Sequence, residues 1–341
     1  MGIQSNPLVA SFKGFAKETA HSGFLIAPFV CSEENPILFI NEDFRLTGKN
    51  AEEEMKTRLR DIALEEPQVS DYEQTREEYL TEISGLIRLL KEEKLSKVVY
   101  SRIININHLY TNKSELFQML VDSYPNVFVY CFYLPRRVLW MGATPEVFLQ
   151  VKPGYLQTMA LAGTKKRDDS QWNKKEIQEQ QYVSRFIHEV LDICGLEERT
   201  ENRLESIVAG ACEHLHTIIS ARADLPGEKL AYLIRLLHPT PAVCGYPQKE
   251  AMAEILKREP HDRQFYSGFL GPVSAVNRME LFVNLRCMKM SKNRISLFAG
   301  GGITKDSNLQ EEWEETELKA NTLGRILERN ANGYCRSNPK D

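Results

Sequence analysis

Carboxylates stand where a helix near the end of the chain should be apolar, in the segment QEEWEETELKANTLGRILE. At 3.6 residues per turn, four residues define the apolar side of this helix: Ala320, Leu323, Ile326 and Leu327. Glu312, Glu315 and Lys319 fall on or beside that side, and most of the other charges fall opposite it. The alternative is a solvated acidic surface. Because a buried carboxylate is unfavourable unless it pairs with a cation, the pattern predicts a partner elsewhere in the chain.

A second helical segment, NKKEIQEQQYVSRFIHEVL, repeats this arrangement. Its apolar side is set by Val183, Ile187, Val190 and Cys194, and Glu176 and Glu179 fall on that side. Two inward-facing carboxylate pairs would repel each other unless a cation lay between them, and a hard divalent ion such as Mg²⁺ meets that need. The alternative is that either pair caps the first turn of its helix, where the helix dipole favours carboxylates.

Groups that could bind an anionic substrate beside such a metal also stand in the sequence. Gly300, Gly301 and Gly302 follow a strand and could present backbone N–H groups to a carboxylate. Arg286 lies in the strand segment ELFVNLRCMKM and, with Lys319, adds positive charge for a second carboxylate. The residue types therefore favour a metal-assisted site for a small anion.

The elements that must position these residues are strands followed by helices, twice over. Residues 71–94 have the period of an amphipathic helix, and then come the strand-like segments KVVYSRIININ, VFVYCFYL, VLWMGATPEVFLQV and YLQTMALAGT. Helices are predicted at about 173–193 and 229–237, and the strands ELFVNLRCMKM and RISLFAGGGIT precede the closing helix. This order predicts an α+β fold with antiparallel sheets, rather than a doubly wound parallel sheet.

Composition excludes several classes of protein. The 341 residues are 42% hydrophobic and 26% charged, with a formal net charge of -4, so no basic field for nucleic acid or an anionic membrane surface is present. The seven cysteines are odd in number, scattered and without a C-x-x-C pair, which favours a reducing compartment over a disulfide framework or a zinc site. Without a signal-like start or a long apolar run, we expect a cytoplasmic protein with no nucleic-acid or membrane partner.

Over about residues 75–330 the chain resembles the chorismate-utilising enzymes and, within them, the isochorismate synthases. The segments that carry the resemblance follow one another in the family's order: SKVVYSR, GATPEVFL, MALAGTKKR, EHLHT, LHPTPAVCGYP, FYSGFLG, NLRC, FAGGGI and EEWEET. The resemblance implies the fold of anthranilate synthase component I, in which large antiparallel sheets form a central sandwich surrounded by helices. It also implies an Mg²⁺-dependent isomerase that acts on chorismate.

The family's binding residues can be carried over by position. The carboxylates that hold Mg²⁺ and the ring carboxylate of the substrate resemble Glu176, Glu179, Glu312 and Glu315. The groups that hold the enolpyruvyl carboxylate resemble Arg286 and Lys319, with Tyr266 as a helper. The resemblance places further substrate contacts at six positions: Ala242, Gly163, Thr164, Gly300, Gly301 and Gly302. Family members usually carry alanine at the position of Gly301. Two histidines, His214 and His238, lie in family segments; a structural role is the simpler interpretation of either, and His238 is the better candidate for a place near the substrate ring.

The resemblance also assigns the reacting groups. Members that add water carry a lysine at the position of Lys97, where it serves as the base, and a general acid at the position of Glu146, which must stay protonated. From residue type alone, Lys97 could equally be a surface lysine and Glu146 a charge beside a proline turn. Ala162 and Ala242 stand where members that add ammonia carry lysine and threonine, so addition of water at C2 with loss of the C4 hydroxyl is predicted.

The sequence leaves three alternative functions open. The alternatives are a salicylate synthase, which expels pyruvate from isochorismate in the same site, a non-catalytic chorismate-binding protein, and an interaction protein with acidic surface helices. We divide the chain into an N-terminal part of the same fold (1–74), a chorismate-binding catalytic region (75–330) and a tail (331–341). We expect a monomer or weak dimer, and the product could enter menaquinone or siderophore biosynthesis.

Overall fold

Two antiparallel β-sheets form the centre of the molecule. The computed structural model describes residues 22–43, 45–66, 71–107, 112–134, 138–166, 171–209, 212–275 and 277–337. Within these ranges nine strands form the larger sheet: β1 (Gly23–Ala27), β2 (Leu38–Asn41), β6 (Val147–Lys152), β7 (Tyr155–Lys166), β8 (Arg199–Glu201), β9 (Glu205–Ala209), β10 (Cys212–Arg222), β12 (Phe269–Ala275) and β13 (Arg278–Val283). Six form the smaller sheet: β3 (Lys97–Asn107), β4 (Phe128–Leu134), β5 (Val138–Thr144), β11 (Gly245–Tyr246), β14 (Cys287–Met290) and β15 (Arg294–Ile303).

Helices cover the outer faces of both sheets. The helices of the described ranges are α1 (Gly48–Asp61), α2 (Arg76–Lys91), α3 (Lys113–Ser123), α4 (Lys174–Ile193), α5 (Gly227–Leu237), α6 (Gln248–Arg258) and α7 (Leu309–Ser337). Apolar residues of α4 and α5 pack on the larger sheet, and those of α1, α3 and α7 pack on the smaller one. A third cluster joins α2 and α6 to β3. The predicted α+β sandwich surrounded by helices is therefore confirmed.

An aromatic layer holds the two sheets together. Trp140 of the smaller sheet is fully buried and stacks on Phe132 and Phe298, and Phe265 meets it edge-on. The same cluster includes residues of the larger sheet, such as Leu270. Burial of this much apolar surface is the main favourable term that keeps the sheets face to face.

The chain crosses from one sheet to the other at two places where the sequence predicted a single strand. VLWMGATPEVFLQV divides at Pro145–Glu146 into β5 and β6, and ELFVNLRCMKM divides at residues 284–286 into β13 and β14. Pro145 has no N–H for a sheet ladder, and Arg286 has a φ of 47°, outside the extended region. Both crossings face the cavity described below, which also opens between the sheets.

A capping box sets the start of α2 more closely than its apolar periodicity does. The helix predicted at 71–94 runs from Arg76 to Lys91, because the Thr75 side chain and Glu78 form a capping box that begins it. The four residues expected to face inward are all buried: Tyr79, Ile83, Leu86 and Leu90. The region before residue 75 contributes β1 and β2, and β1 pairs with β12 in the larger sheet.

Candidate active site

A cavity between the two sheets and helices α4 and α7 brings most of the predicted site residues together. Those that line it are Lys97, Glu146, Gly163, Thr164, Glu179, Ala242, Tyr266, Arg286, Gly300, Gly302, Glu315 and Lys319. Strands of both sheets contribute to the wall, so the site is formed at the interior of the sandwich rather than on a single element.

Lys97 and Glu146 are both removed from water in this wall. Lys97 begins β3, is 1% exposed, and its Nζ lies 3.4 Å from Oε2 of Glu179. Glu146 follows the β5–β6 crossing, is also 1% exposed, and neither of its carboxyl oxygens has a hydrogen-bond partner within the described part of the chain. Burial raises the pKa of Glu146 to about 8, although Lys97 and Lys319 act in the opposite direction. This carboxyl group is therefore a proton donor at neutral pH.

Arg286 is oriented by a buried histidine. Nη2 of Arg286 lies 2.6 Å from Nε2 of His214, whose Nδ1 lies 3.1 Å from the carbonyl oxygen of Gly163. Burial and the neighbouring Arg286 and Lys319 hold the pKa of His214 well below its usual value, so the ring is neutral. With Nδ1–H donating to Gly163, Nε2 is the acceptor for the guanidinium. His214 thus fixes the direction of the one arginine in the cavity wall of the described residues.

Lys319 holds the closing helix against the glycine-rich end of β15. Its Nζ lies 2.6 Å from Oε1 of Glu315 and donates to the carbonyl oxygen of Gly300 at 2.8 Å. Burial raises the pKa of Glu315, but Lys319, Lys175 and the Thr164 hydroxyl outweigh burial and leave the pKa below its usual value. The wall therefore places a cation and an ionised carboxylate side by side.

The carboxylates of α4 and α7 meet around a lysine that was not singled out from the sequence. Nζ of Lys175 makes a direct ion pair with Oε1 of Glu312 and lies 3.7 Å from Oε1 of Glu179. Burial alone lowers the pKa of Lys175, but the carboxylates of Glu312, Glu179 and Glu315 outweigh burial and raise it. Burial raises the pKa of Glu179 and brings that of Glu312 to about 7. One carboxylate from each acidic helix, Glu179 and Glu312, thus lies beside this lysine.

The donor chemistry of this cluster fits Mg²⁺. No set of three or more His, Cys, Asp or Glu side chains in the described ranges is arranged to hold a metal ion as it stands. Mg²⁺ needs only one or two protein carboxylates, since it keeps several waters. Oε2 of Glu312 is fully buried and has no hydrogen-bond partner among the described residues, so it is an oxygen donor without a counterpart.

The absence of side chains on the glycine run makes room for these carboxylates. A Cβ on Gly302 would lie 2.4 Å from Oε2 of Glu179 and 2.8 Å from Cε of Lys97, and one on Gly301 would lie 3.0 Å from Oε2 of Glu312. Gly300 and Gly302 line the cavity, whereas Gly301 does not and instead borders Glu312. The glycines thus let the side chains of Glu179, Lys97 and Glu312 approach the backbone of β15 more closely than β-carbons would allow.

Four predicted site residues do not line the cavity: Gly301 and Glu312, described above, and Glu176 and His238. Glu176 accepts a hydrogen bond from the backbone N–H of Asn173 at 3.3 Å, as part of the capping box of α4, and does not line the cavity. This is the capping alternative that the sequence left open. His238 also lies outside the cavity wall, with Nε2 3.1 Å from the carbonyl oxygens of Pro28 and Phe29. Burial lowers the pKa of His238 to about 4, and its surroundings are those of a structural histidine.

Several residues of the wall were not expected from the sequence. His214 lines the cavity although His238 was favoured, and apolar residues such as Leu161, Val243 and Leu285 complete the wall. Lys175, which lies outside the wall, could have been found from its spacing, because it stands four residues before Glu179 and so shares a helix face with it. No comparable signal marks the apolar wall residues, because they look like ordinary core residues in the sequence.

Comparison with known proteins relates the chain to enzymes of stated activity. A family model described as "Chorismate binding enzyme" matches residues 16–328. Isochorismate synthase EntC of Escherichia coli strain K12 is 27% identical over 294 residues, which cover 83% of this chain and 74% of EntC. Isochorismate synthase DhbC of Bacillus subtilis is 26% identical over 270 residues, covering 74% of this chain and 68% of DhbC.

The fold has a solved counterpart as well. A Bacillus anthracis protein assigned as a 2,3-dihydroxybenzoate-specific isochorismate synthase, DhbC, superimposes with a TM-score of 0.76 over 94% of this chain and 88% of that one. At 23% identity this likeness bears on the fold alone. Within the described residues, none of the helices has the length and apolar character needed to cross a membrane.

Proposed function

The chain belongs to the chorismate-binding enzyme family, and on that premise we propose that it is an isochorismate synthase that uses Mg²⁺. The observation that carries the proposal is the burial of Lys97 and Glu146 in the wall of one cavity, each 1% exposed. A protein that only bound chorismate would need neither a buried amine nor a buried carboxyl group without hydrogen bonds. The identity of about a quarter with two isochorismate synthases supports the same reaction.

The reaction exchanges one hydroxyl group of chorismate for another. The Lys97 amine takes a proton from a water molecule as the water oxygen bonds to C2, and the ring double bonds shift. Glu146 gives its proton to the C4 hydroxyl, which leaves as water. One water enters and one leaves, so the net reaction is an isomerisation, and the similar bonds on both sides make it readily reversible.

Charged residues of the wall bind and orient the substrate. Arg286, directed by His214, and Lys319 are placed to hold the enolpyruvyl carboxylate, with Tyr266 beside them. Glu179, Glu312 and Glu315 would hold Mg²⁺, with Glu176 joining them only if its capping carboxylate turned inward. When bound, Mg²⁺ supplies the positive charge that neutralises the ring carboxylate.

The choice of water over ammonia rests on two small residues of the same wall. Ala162 and Ala242 both line the cavity, at positions where the lysine and threonine of the aminating relatives were expected. Ala162 leaves no amine that could form a covalent adduct there. Lys97 and Lys319 are the lysines of the described wall, and Lys319 donates to Gly300 and pairs with Glu315, so Lys97 is the amine assigned to proton transfer from water.

Product analysis tests the proposal directly. The purified protein is incubated with chorismate in Mg²⁺ or in EDTA, and the products are separated by chromatography. We expect isochorismate in Mg²⁺ alone. Salicylate with pyruvate would move the function to salicylate synthase, and unchanged chorismate would overturn the proposal in favour of a binding protein. Lys94→Met is the matched control for replacement of Lys97. The Lys94 side chain is 79% exposed just before β3, so this variant should react like the unmodified protein.

A further inference from the structure

Lys175 joins two helices that are far apart in the sequence. It lies in the first turn of α4, and its Nζ makes a direct ion pair with Oε1 of Glu312 in α7, 137 positions further along the chain. The same Nζ lies 3.7 Å from Oε1 of Glu179, one turn along its own helix. A single ammonium group therefore touches one carboxylate from each of the two acidic helices.

The two partners of the Lys175–Glu312 ion pair differ in their exposure to solvent. The side chain of Glu312 is fully buried, whereas that of Lys175 is 14% exposed. Its neighbour Lys174 is an exposed residue on the same turn and makes none of the ion pairs found in the described residues. Lys175 is thus partly in contact with solvent, and a flexible four-carbon side chain of this kind can turn outward.

A divalent ion and this ammonium group compete for the same oxygens. Mg²⁺ binds carboxylate oxygens at about 2.0–2.1 Å and demands near-octahedral geometry. An ammonium group that already contacts Glu312 and lies beside Glu179 occupies that space, and two cations so close would repel each other. Occupancy by Lys175 and occupancy by the metal therefore exclude one another.

We propose that Lys175 is a tethered counter-cation, which holds Glu179 and Glu312 together in the metal-free protein and swings out when a divalent cation binds between α4 and α7. The inference rests on the metal site of the proposed function. In the metal-free state the lysine offsets the repulsion between the two helices, so the site stays assembled. Because the metal must displace it, Lys175 also weakens metal binding and sets the metal concentration at which the site fills.

Direct metal binding tests this inference without reference to turnover. Mn²⁺ is titrated into the metal-free protein, and free Mn²⁺ is followed by electron paramagnetic resonance. We expect Lys175→Met and Lys175→Gln to bind Mn²⁺ more tightly than the unmodified protein by about fivefold or more. Without metal, both variants should also melt at a lower temperature than the unmodified protein. Added Mn²⁺ should raise their melting temperatures by more than it raises that of the unmodified protein. Lys174→Met should match the unmodified protein in every measurement, and Lys175→Arg should bind Mn²⁺ no more tightly than it.

The outcomes separate this inference from the proposed function. Unchanged or weaker Mn²⁺ binding in both neutral variants overturns the role of Lys175, even if the unmodified protein makes isochorismate. Tighter binding in the neutral variants supports it, even if no isochorismate forms. If neither the unmodified protein nor the neutral variants bind Mn²⁺, the inference and the metal site of the proposed function both fail.

Discussion

At the scale of single residues, Glu146 has the surroundings of a carboxylic acid that stays protonated at neutral pH. Its oxygens are buried without hydrogen-bond partners in the described part of the chain, and burial brings its pKa to about 8. A general acid must carry its proton, so turnover of chorismate should fall as the pH rises through about 8. The pH dependence of kcat measures this, and a profile that is flat between pH 7 and 9 would contradict it.

Replacement of the acid itself gives a second test. Glu146→Gln cannot donate a proton, so turnover should fall by about 10²–10⁴-fold. The decline of activity near pH 8 should also disappear from whatever activity remains, because the titrating group is gone. A variant that kept the basic decline would mean that another group controls it.

Lys97 is the second buried ionisable residue of the cavity wall to which the proposed reaction gives a role. Lys97→Met should lower kcat by about 10²–10⁴-fold, since water then has no base. The affinity for chorismate should change little, because Arg286 and Lys319 remain to bind it. Steady-state kinetics and calorimetric titration with chorismate separate the two effects. Normal turnover in Lys97→Met would show that the base lies elsewhere.

At the scale of secondary structure, the two crossings between sheets create the site. Glu146 stands at the β5–β6 crossing and Arg286 at the β13–β14 crossing, and both line the cavity. A residue inside a continuous strand would present its side chain to one face of one sheet. At a crossing the chain passes between the layers, so its side chains can reach the interior of the sandwich.

The glycine run of β15 yields a prediction at this scale. In Gly302→Ala, the new Cβ would lie 2.4 Å from Oε2 of Glu179 and 2.8 Å from Cε of Lys97. Both atoms belong to flexible side chains, so the fold should survive while the site is displaced. We expect turnover to fall by about tenfold or more, as small misplacements of reacting groups are costly. Kinetics and circular dichroism check this, and full activity would contradict it.

The matched control lies in the closing helix. A Cβ added at Gly324 in α7 would make an ordinary van der Waals contact, 3.7 Å from Oδ1 of Asn321. Gly324→Ala should leave turnover unchanged and raise the free energy of unfolding by about 0.5–1 kcal/mol, because alanine favours a helix interior over glycine. The comparison separates the general effect of a methyl group from its effect in the site.

At the scale of the whole molecule, the aromatic layer between the sheets carries the stability of the sandwich. Trp140 is fully buried in that layer. Trp140→Ala should lower the free energy of unfolding by about 3–5 kcal/mol, because it leaves a cavity between the sheets. The midpoint of chemical denaturation measures this. Leu256→Ala is the control, since Leu256 is 60% exposed on α6, and a similar loss there would contradict the interpretation.

What the sequence determined by itself were the properties that depend on neighbours along the chain. Helical periodicity placed Glu179 and Glu312 on inward faces, and both are buried. Strand-like segments and helical periodicity predicted the sheets and most of the helices that carry site residues. Resemblance to a family then gave those residues roles. Where two local interpretations competed, as for Glu176, the sequence could not choose, since a capping carboxylate and a metal ligand occupy the same position in a first turn.

What only the tertiary structure decided were the pairings between distant parts of the chain. Lys175 meets Glu312 and His214 meets Arg286 across separations of 137 and 72 residues. The division of VLWMGATPEVFLQV between two sheets likewise depends on which strands lie beside each half. A local pattern predicts whether a side chain faces inward. The residue that it contacts there depends on how both sheets and their helices pack, which is a property of the whole chain.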